Sequence, residues 1–594
     1  MVEYQVMSNS SAVAQQIARS LVHAGVSDVV FAPGSRSAPL VYAVAPLNEA
    51  GLIRTHVRVD ERDAAFLALG LARGLRARGS ESAVAVVTTS GSAVANLHPA
   101  VLEASYGHLP LLALTADRPA RLRRTGANQT IDDQSQVLSD VRARFDVPAG
   151  DSAEAVGRSV SDAVAAALGS HRGTVTEAAG PVQFNVQFDT PLVPTPEELN
   201  AWTDEIGALA ANDAGRRARE TVSEPRARVG VTITDGTVLV AGDAGGYPAE
   251  SLHALAADQH LPVLAEPSSP LARTAADPSA TGAAEPSTIV PAHARVLSDH
   301  LELREAICTV IVHGKPTLTR PVAALLADES VTVQHVPDAI DACDLTGRDE
   351  RPGGLTAAGE AEGVAASGPA WVRAWIDAGT SLVATARAER AAESRPEPTA
   401  AETSGTTSAR EFQSTARTIT ERLAAQDLTL FVASSNSVRY LSDATDIRAR
   451  IHASRGLAGI DGLISTATGL SLGLGEPVLL LIGDIAMLHD IGGLLTPSAE
   501  AAGDVTIVVL NDDGGAIFSG LEHSQPHLEG FLERYFTVPH GRGFAELAAA
   551  YGWEYMRVSD LVSFDHAMDE GLGAAEDRSA ITAGARRIIE VRLD

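Results

Sequence analysis

Three doubly wound α/β domains, each built on a parallel sheet, are the fold class this chain predicts. Three observations carry that expectation. Short apolar runs rich in Val, Ile and Leu alternate with helical segments, as buried parallel strands alternate with crossover helices. Several of these runs end in Gly, Asp, Asn or Ser, which suits the carboxyl edge of an open sheet, where ligands bind. The length of 594 residues exceeds what one core supports, so about three domains is the natural division.

The first domain spans residues 1–195. Ser8-Asn9-Ser10-Ser11 offers N-caps to an amphipathic helix that ends near Ala24, before Gly25. Strands are expected at 29–31, 56–59, 83–88, 111–115 and 182–188, with helices from Arg62 to Arg76 and from Ser90-Gly91-Ser92 to Ala104. Residues 196–228 are charged and alanine-rich, a connecting helix or linker. A central domain over 229–383 has strands at 237–241, 262–264, 310–312 and 331–333, then a loop-like stretch over 344–368. Residues 384–410, rich in Ala, Glu, Pro, Ser and Thr, read as a flexible linker. The third domain, 411–594, has strands at 429–432, 478–482 and 505–510.

Composition narrows the function. A formal net charge of −29 argues against non-specific binding to nucleic acid or anionic membrane. Lys315 is the only lysine, so a site for anions must be built from arginine, the better residue for gripping carboxylates with two hydrogen bonds. Cys308 and Cys343 form neither a metal spacing nor a disulfide framework, and a reducing cytoplasm is the default. The N-terminus lacks the charged and apolar regions of a signal peptide, and no apolar run is long enough to span a bilayer.

The segment from Leu480 to Phe518 says most about chemistry. One apolar run ends in Gly483-Asp484, and a second ends in Asn511-Asp512-Asp513-Gly514-Gly515. Oxygen-bearing side chains and a glycine-exposed carbonyl suit a hard cation such as magnesium, which in turn holds a phosphate. Ordinary turn chemistry explains either pair alone; the spacing between them does not follow from turns. Elsewhere, Ala32-Pro33-Gly34-Ser35-Arg36-Ser37 follows a strand and opens a helix, an anion pocket with a fixed charge. Asp60, Glu61 and Asp63 start a helix, where Asp60 and Asp63 read as first-turn acids. Arg118 ends another strand and Gln129 follows it; Arg121, Arg123 and Arg124 read as solvated or paired with Asp132 and Asp133. Ser434-Ser435-Asn436-Ser437-Val438-Arg439 and Arg455-Gly456 follow strands in the third domain, and Gly459-Ile460-Asp461-Gly462 permits close approach of a ligand. Gly242-Asp243-Ala244-Gly245-Gly246 lacks full dinucleotide spacing and reads as a turn, and His489 reads as packing.

Taken together, PGSRSAPL, VDERDAAFLALGLARG, TTSGSAVANLHPAVLEA, LTADRP, TGANQTI, SRGLAGIDGLISTATG, GDIAMLHDIGGLL and NDDGGAIFSGLE resemble one family. It is the thiamine-diphosphate (ThDP) enzymes that make 2-succinyl-5-enolpyruvyl-6-hydroxy-3-cyclohexene-1-carboxylate (SEPHCHC) in menaquinone biosynthesis. The resemblance is dense in the first and third domains, which become the pyrimidine-binding and diphosphate-binding domains of the ThDP-enzyme fold, and thin in the central one. It implies a transferase that decarboxylates 2-oxoglutarate and adds the succinyl carbanion equivalent to isochorismate in a 1,4-addition.

By the same resemblance Glu61 is catalytic, activating the aminopyrimidine, and a buried glutamate with a raised pKa suits that task. Asp484, Asp512 and the Gly514 carbonyl hold magnesium or manganese, although the family writes asparagine where Asp512 stands. Gly483, Ile517, Phe518 and Leu521 lie at the cofactor. Ser35, Arg36, Arg118, Gln129, Arg320, Ser435, Arg439 and Arg455 bind substrate, with Lys315 the alternative to Arg320 and Ser437 the alternative to Ser435. The active sites are expected at the interface of a homodimer or of a dimer of dimers in the cytoplasm. Other readings keep ThDP with a monocarboxylate substrate, as in an acetohydroxyacid synthase or a simple 2-oxo acid decarboxylase, or keep cofactor binding without catalysis. Arginine-rich motifs argue against the first, and Glu61 with Asp484 against the second.

Overall fold

A computed structural model describes residues 9–171, 174–175, 178–217, 227–274, 287–348, 366–393, 404–572 and 586–592. The expectations for the extreme N-terminus and for parts of the linkers (218–226, 349–365 and 394–403) lie outside the described residues. The chain forms two compact units. One comprises Met1–Glu224, Gly456–Glu476 and Asp490–Asp504; the other comprises Pro225–Arg455, Pro477–His489 and Val505–Asp594.

The first unit is built on strands β1 (Asp28–Phe31), β2 (Arg54–Val57), β3 (Val84–Thr88), β4 (Leu111–Asp117), β5 (Ala143–Val147) and β6 (Val182–Gln187). They pair in parallel in the order β2-β1-β3-β4-β6-β5. Every residue of β1, β3, β4 and β6 is buried; β1, β3 and β4 are mostly apolar, whereas β6 alternates Val and Phe with buried Gln183, Asn185 and Gln187. β5, whose pattern of exposure alternates, escaped the sequence reading.

The second unit holds two larger parallel sheets beside a two-stranded one, so all three expected sheets are present. Strands β7 (Thr237–Ala241), β8 (Val263–Ala265), β9 (Thr309–His313) and β10 (Thr332–Val336) run in the order β8-β7-β9-β10. Strands β11 (Thr429–Val432), β12 (Arg450–His452), β13 (Val478–Gly483), β14 (Val505–Leu510), β15 (Glu554–Val558) and β16 (Arg586–Val591) run in the order β12-β11-β13-β14-β16-β15. In each sheet the chain goes one way to its second strand and then returns past the first. That reversal opens a crevice at the carboxyl ends of the two strands flanking it.

Two expectations about irregular segments are corrected. The loop expected from Asp344 begins as strand, since Ile340–Arg348 pairs in parallel with Ala227–Ile233. The flexible linker expected over 384–410 is entered by helix from both sides, by Gly368–Glu393 and by Ser404–Ala424. Alanine and arginine favour helix there, and Val383 and Ala386 are buried. The expected connecting helix is Pro196–Arg217, anchored by Trp202, whose Nε1 donates to the Ala43 carbonyl at 2.9 Å.

Within the first unit, helices α1 (Glu61–Ala77) and α2 (Leu463–Leu474) touch backbone to backbone. A Cβ added at Gly70 would sit 2.1 Å from the Thr466 carbonyl oxygen, and one at Gly469 would sit 2.1 Å from that of Leu67. Gly74 and Gly473 repeat the approach one turn on, each at 2.7 Å from a carbonyl. Gly462 (φ +66°) lets Phe66 lie against its backbone, so the close approach expected there is to a side chain of the protein. Asp490 caps the start of α2, accepting the Ile464 amide at 2.8 Å, and Asp60 caps α1 by accepting the Arg62 amide at 2.8 Å.

Ordinarily alanine improves on glycine inside a helix by up to about 1 kcal/mol. At Gly70 and Gly469 the collision is with backbone and outweighs that gain, so each alanine variant is expected to cost about 1–3 kcal/mol and lower the melting temperature. Gly207, with no atom within 4 Å of an added Cβ, is the control. Gly207→Ala should leave the melting temperature unchanged or raise it, and a similar rise at Gly469→Ala contradicts the close packing.

Candidate active site

The reversal of the first sheet falls between β1 and β3, and the loops after β1, β3 and β4 interlock at that edge. Gly34 lies so close to Thr89 that an added Cβ would be 2.3 Å from the threonine Cβ. The Arg36 amide donates to Thr89 Oγ1 at 3.3 Å, and Ser37 Oγ donates to the Gly34 carbonyl at 3.0 Å. The helix begins only at Ala38, so Ser35 and Arg36 sit on a tight turn rather than inside a helix start. Ser35 is exposed there. Arg36 Nη1 donates to the Phe188 carbonyl at 2.8 Å. Arg118 Nη1 donates to Ser90 Oγ at 2.5 Å and to the Gln129 carbonyl at 2.6 Å, while Gln129 Nε2 donates to the Ser90 carbonyl at 2.9 Å. Desolvation and then the neighbouring Arg118 charge pull the Arg36 guanidinium below its usual range.

The other arginines of this segment behave differently. Arg121 forms a two-point pair with Asp189 at 2.8 and 2.9 Å, and Arg123 bridges Asp117 and Asp146 at 3.0 and 3.1 Å. Only the Arg124 amide reaches Asp132. Asp189 and Asp146 lie far along the chain, so sequence adjacency does not reveal those pairings. Glu61 is the first residue of α1, half-buried, with Asn96 Nδ2 donating to its Oε2 at 3.3 Å. Asp63, expected to be a plain first-turn acid, is instead 3% exposed, and burial followed by the Asp60 charge pushes it up to about 6.

In the second unit, β13 ends at Gly483, where no atom lies within 4 Å of an added Cβ, leaving open space. Asp484 follows and is 2% exposed. Its Oδ2 accepts the Gly514 amide at 2.8 Å and His540 Nε2 at 3.0 Å, and its Oδ1 accepts the Ile485 amide at 2.7 Å. Burial still raises the Asp484 pKa against these bonds. Asp512 is exposed as a residue, yet desolvation of its carboxyl and then the Asp484 charge push it up to about 7. Gly514 adopts φ +148°, and a Cβ there would meet the Thr537 carbonyl oxygen at 2.5 Å. The loop is held from below by buried Glu590, which accepts Asn511 Nδ2 at 2.5 Å, the Phe544 amide at 3.1 Å and the Tyr555 hydroxyl at 2.6 Å.

Two carboxyl groups at close quarters, with no arginine or lysine of the described residues in an ion pair with either, fit a divalent cation. Two carboxylates, a main-chain carbonyl and phosphate oxygens are a hard donor set. His540 and Glu590 were both missed by sequence reasoning. His489, the histidine singled out, is an exposed helix-end residue, while His540 bonds Asp484 from 56 positions away. Nothing local marks it; only the fold does.

Beyond β11, Ser435 precedes the helix Asn436–Tyr440, and its carbonyl accepts Arg439 Nη1 at 2.9 Å. Ser437 is 3% exposed, so Ser435 is the more accessible of the two serines. Arg455 is 5% exposed, donates through Nη2 to Thr317 Oγ1 at 3.0 Å, and leaves its Nε without a partner. Desolvation and then the Arg455 charge lower the Arg439 pKa, the same pattern as at Arg36 and Arg118. Arg320, the first residue of the helix Arg320–Leu326, is largely exposed and pairs with Glu522 at 2.9 Å. Ile517 and Phe518 are half-buried and Leu521 is 40% exposed; Phe518 lies 5.6 Å from the Phe536 ring, against which His523 stacks at 4.5 Å.

Arg36 thus feels the charge of Arg118, and Arg439 that of Arg455; none of the four makes an ion pair with a carboxylate of the described residues, although Asp189 and Asp117 act on Arg36 at longer range and Glu266 on Arg455. No helix among the described residues is long and apolar enough to cross a membrane.

Comparison with known proteins agrees with this geometry. Residues 11–137 match the N-terminal TPP binding domain of thiamine pyrophosphate enzymes, and residues 435–582 match the C-terminal TPP binding domain. A 2-succinyl-5-enolpyruvyl-6-hydroxy-3-cyclohexene-1-carboxylate synthase of Renibacterium salmoninarum is 40% identical over 588 residues, covering 96% of this chain and 94% of that protein. Enzymes of the same name from Paenarthrobacter aurescens and Arthrobacter sp. strain FB24 are each 38% identical, covering 97% of this chain and 92% and 88% of their own lengths.

A cation at Asp512 requires the carboxylate, so binding below the raised pKa of about 7 must displace a proton. Without metal this carboxyl favours the fold while protonated, and that contribution is lost as pH rises through about 7. The increase in melting temperature on adding magnesium with ThDP should then be larger at about pH 8 than at about pH 6, with proton release in calorimetry near neutrality. Equal increases at both pH values and no proton release contradict the assignment of Asp512.

Proposed function

The chain belongs to the SEPHCHC synthase family of ThDP-dependent enzymes, and from that premise we propose that it transfers a succinyl unit from 2-oxoglutarate to isochorismate by 1,4-addition, releasing CO2. The observation that supports these substrates is the two guanidinium pairs left without carboxylate partners in a chain of net charge −29. Each proposed substrate is a dicarboxylate, and each needs cations collected locally, because the long-range field of the protein repels it. A monocarboxylate would leave one pair uncompensated, which disfavours the simpler decarboxylase reading.

When bound, ThDP supplies the electron sink that makes loss of CO2 and attack on a conjugated acceptor feasible. The residues of the chain bind, orient and move protons around it. Glu61 holds a proton at the aminopyrimidine edge. Asp484, Asp512 and the Gly514 carbonyl hold magnesium or manganese and through it the diphosphate, with Gly483 leaving room and Ile517, Phe518 and Leu521 excluding water. Ser35, Arg36, Arg118 and Gln129 orient one set of carboxylates; Ser435, Arg439 and Arg455 orient another, which Arg320 joins only on leaving Glu522. The functional unit is a dimer in which Glu61 of one subunit serves the cofactor held by Asp484 of its partner, and the compartment is the cytoplasm.

Glu61→Gln should lower kcat by about 10²–10⁴-fold with the melting temperature unchanged. Asp484→Asn should also be inactive. Co-expressed in equal amounts, the two variants should recover about a quarter of wild-type activity, because half of randomly formed dimers are mixed and each mixed dimer keeps one intact site. Full turnover in Glu61→Gln removes its role, and no recovery on mixing removes the shared site.

A further inference from the structure

The central sheet follows the same winding as its two companions, yet its switch-point crevice is filled by its own backbone. β7 is followed by Gly242, where an added Cβ would lie 2.1 Å from the Lys315 carbonyl carbon, on the loop that follows β9. The Gly242 amide donates to the His313 carbonyl at 2.9 Å, and the Lys315 amide donates to the Asp243 carbonyl at 2.8 Å. Gly314 (φ +65°) turns the loop back against Asp243. The glycine-rich sequence after β7 thus serves close packing of two loops and leaves no room there for a nucleotide.

The far side of that loop is held by Glu266, one residue beyond β8 and 1% exposed. Its Oε1 accepts the Leu318 amide at 2.5 Å. Its Oε2 has no hydrogen-bond partner among the described residues. Burial, the largest influence, pushes this carboxyl up to about 7; the Leu318 amide, the Arg455 charge and the Thr317 amide oppose it. Between the two anchors stands Thr317, whose Oγ1 accepts Arg455 Nη2 at 3.0 Å. Leu318, next in sequence, is 8% exposed and packs into the core of this unit.

A buried carboxylate is costly and is kept where it does something that a neutral residue does not. We propose that Glu266 is a positioning residue for substrate: by clamping the loop over residues 314–319 it holds Thr317, and Thr317 fixes the direction in which Arg455 presents its guanidinium to a substrate carboxylate. The central domain then acts through its filled crevice, as the mount for an arginine of the neighbouring sheet. This inference rests on the reading of Arg455 as a substrate ligand, and its test separates the two claims.

Thr317→Val removes one hydroxyl and keeps the shape of the side chain, and Glu266→Leu keeps much of the volume while removing the acceptor of the Leu318 amide. Each protein, loaded with ThDP and magnesium, is titrated calorimetrically with glutarate, a dicarboxylate that cannot be decarboxylated, and with isochorismate; kcat and KM are then measured. Both variants should weaken binding of one dicarboxylate and raise its KM by roughly tenfold, with kcat and ThDP affinity within about twofold of wild type. The double variant should be no worse than about the weaker single one, since both act through one loop. Unchanged dicarboxylate affinity in Thr317→Val overturns the proposal, as does a joint fall in kcat, ThDP affinity and melting temperature in both variants, which marks a merely structural role. If the wild type binds a dicarboxylate and the variants bind it less well, but no protein turns over 2-oxoglutarate with isochorismate, the positioning role stands and the proposed reaction falls.

Discussion

Like charges held side by side at the carboxyl edges of the sheets are the constraint on which the rest of the structure depends. Arg36 lies by Arg118, Arg439 by Arg455, and Asp484 by Asp512, and each arrangement is unfavourable without a ligand of opposite charge. Such groups stay in place only if the backbone around them is over-determined. The molecule supplies that rigidity repeatedly by one device, a buried carboxylate that accepts hydrogen bonds from a functional loop, through main-chain amides at Glu266 and Glu103 and through the Asn511 side chain at Glu590. Glu590 holds the segment around Asn511, Glu266 the loop before Arg320, and Glu103 the amides of Gly456 and Leu457 at 2.8 and 2.7 Å.

The charge of the whole chain gives this arrangement its selectivity. An acidic protein repels dicarboxylates at long range and attracts metal ions. Only a site where guanidinium groups are held by neutral hydrogen-bond partners, outside any ion pair, reverses the sign locally. Arg121, Arg123 and Arg320, which pair with carboxylates, do not contribute such an uncompensated charge. Arginine number alone therefore says little; the pairing state of each one separates binding residues from structural ones.

Much of this was legible in the amino-acid order. Strands such as Val84–Thr88 and Val478–Gly483 are buried on both faces and read as unbroken apolar runs, and their ends carry the motifs that converge in space. What was not legible depends on contacts distant in sequence. Asp63 looks like any acid in a first helical turn until Asp490 is found beside it, and His540 is an ordinary histidine until the fold brings it to Asp484. The strand Ala143–Val147 alternates polar and apolar residues at a sheet edge and gave no clear signal. The expected linker failed in the opposite direction, because its alanines and arginines favour helix while its Pro, Ser and Thr suggest a loop. The segment from Gly242 to Gly246 read as a turn, which Gly245 and Gly246 form, but Gly242 itself packs against the loop that carries Thr317.

The most direct test of the central claim, that two separate guanidinium pairs serve two dicarboxylate substrates, is the consumption of 2-oxoglutarate by the ThDP- and magnesium-loaded protein with and without isochorismate, with the product identified by mass. The account predicts consumption that depends on isochorismate and yields the succinyl adduct. Equal consumption in its absence contradicts the account, because one guanidinium pair would then have no substrate to bind.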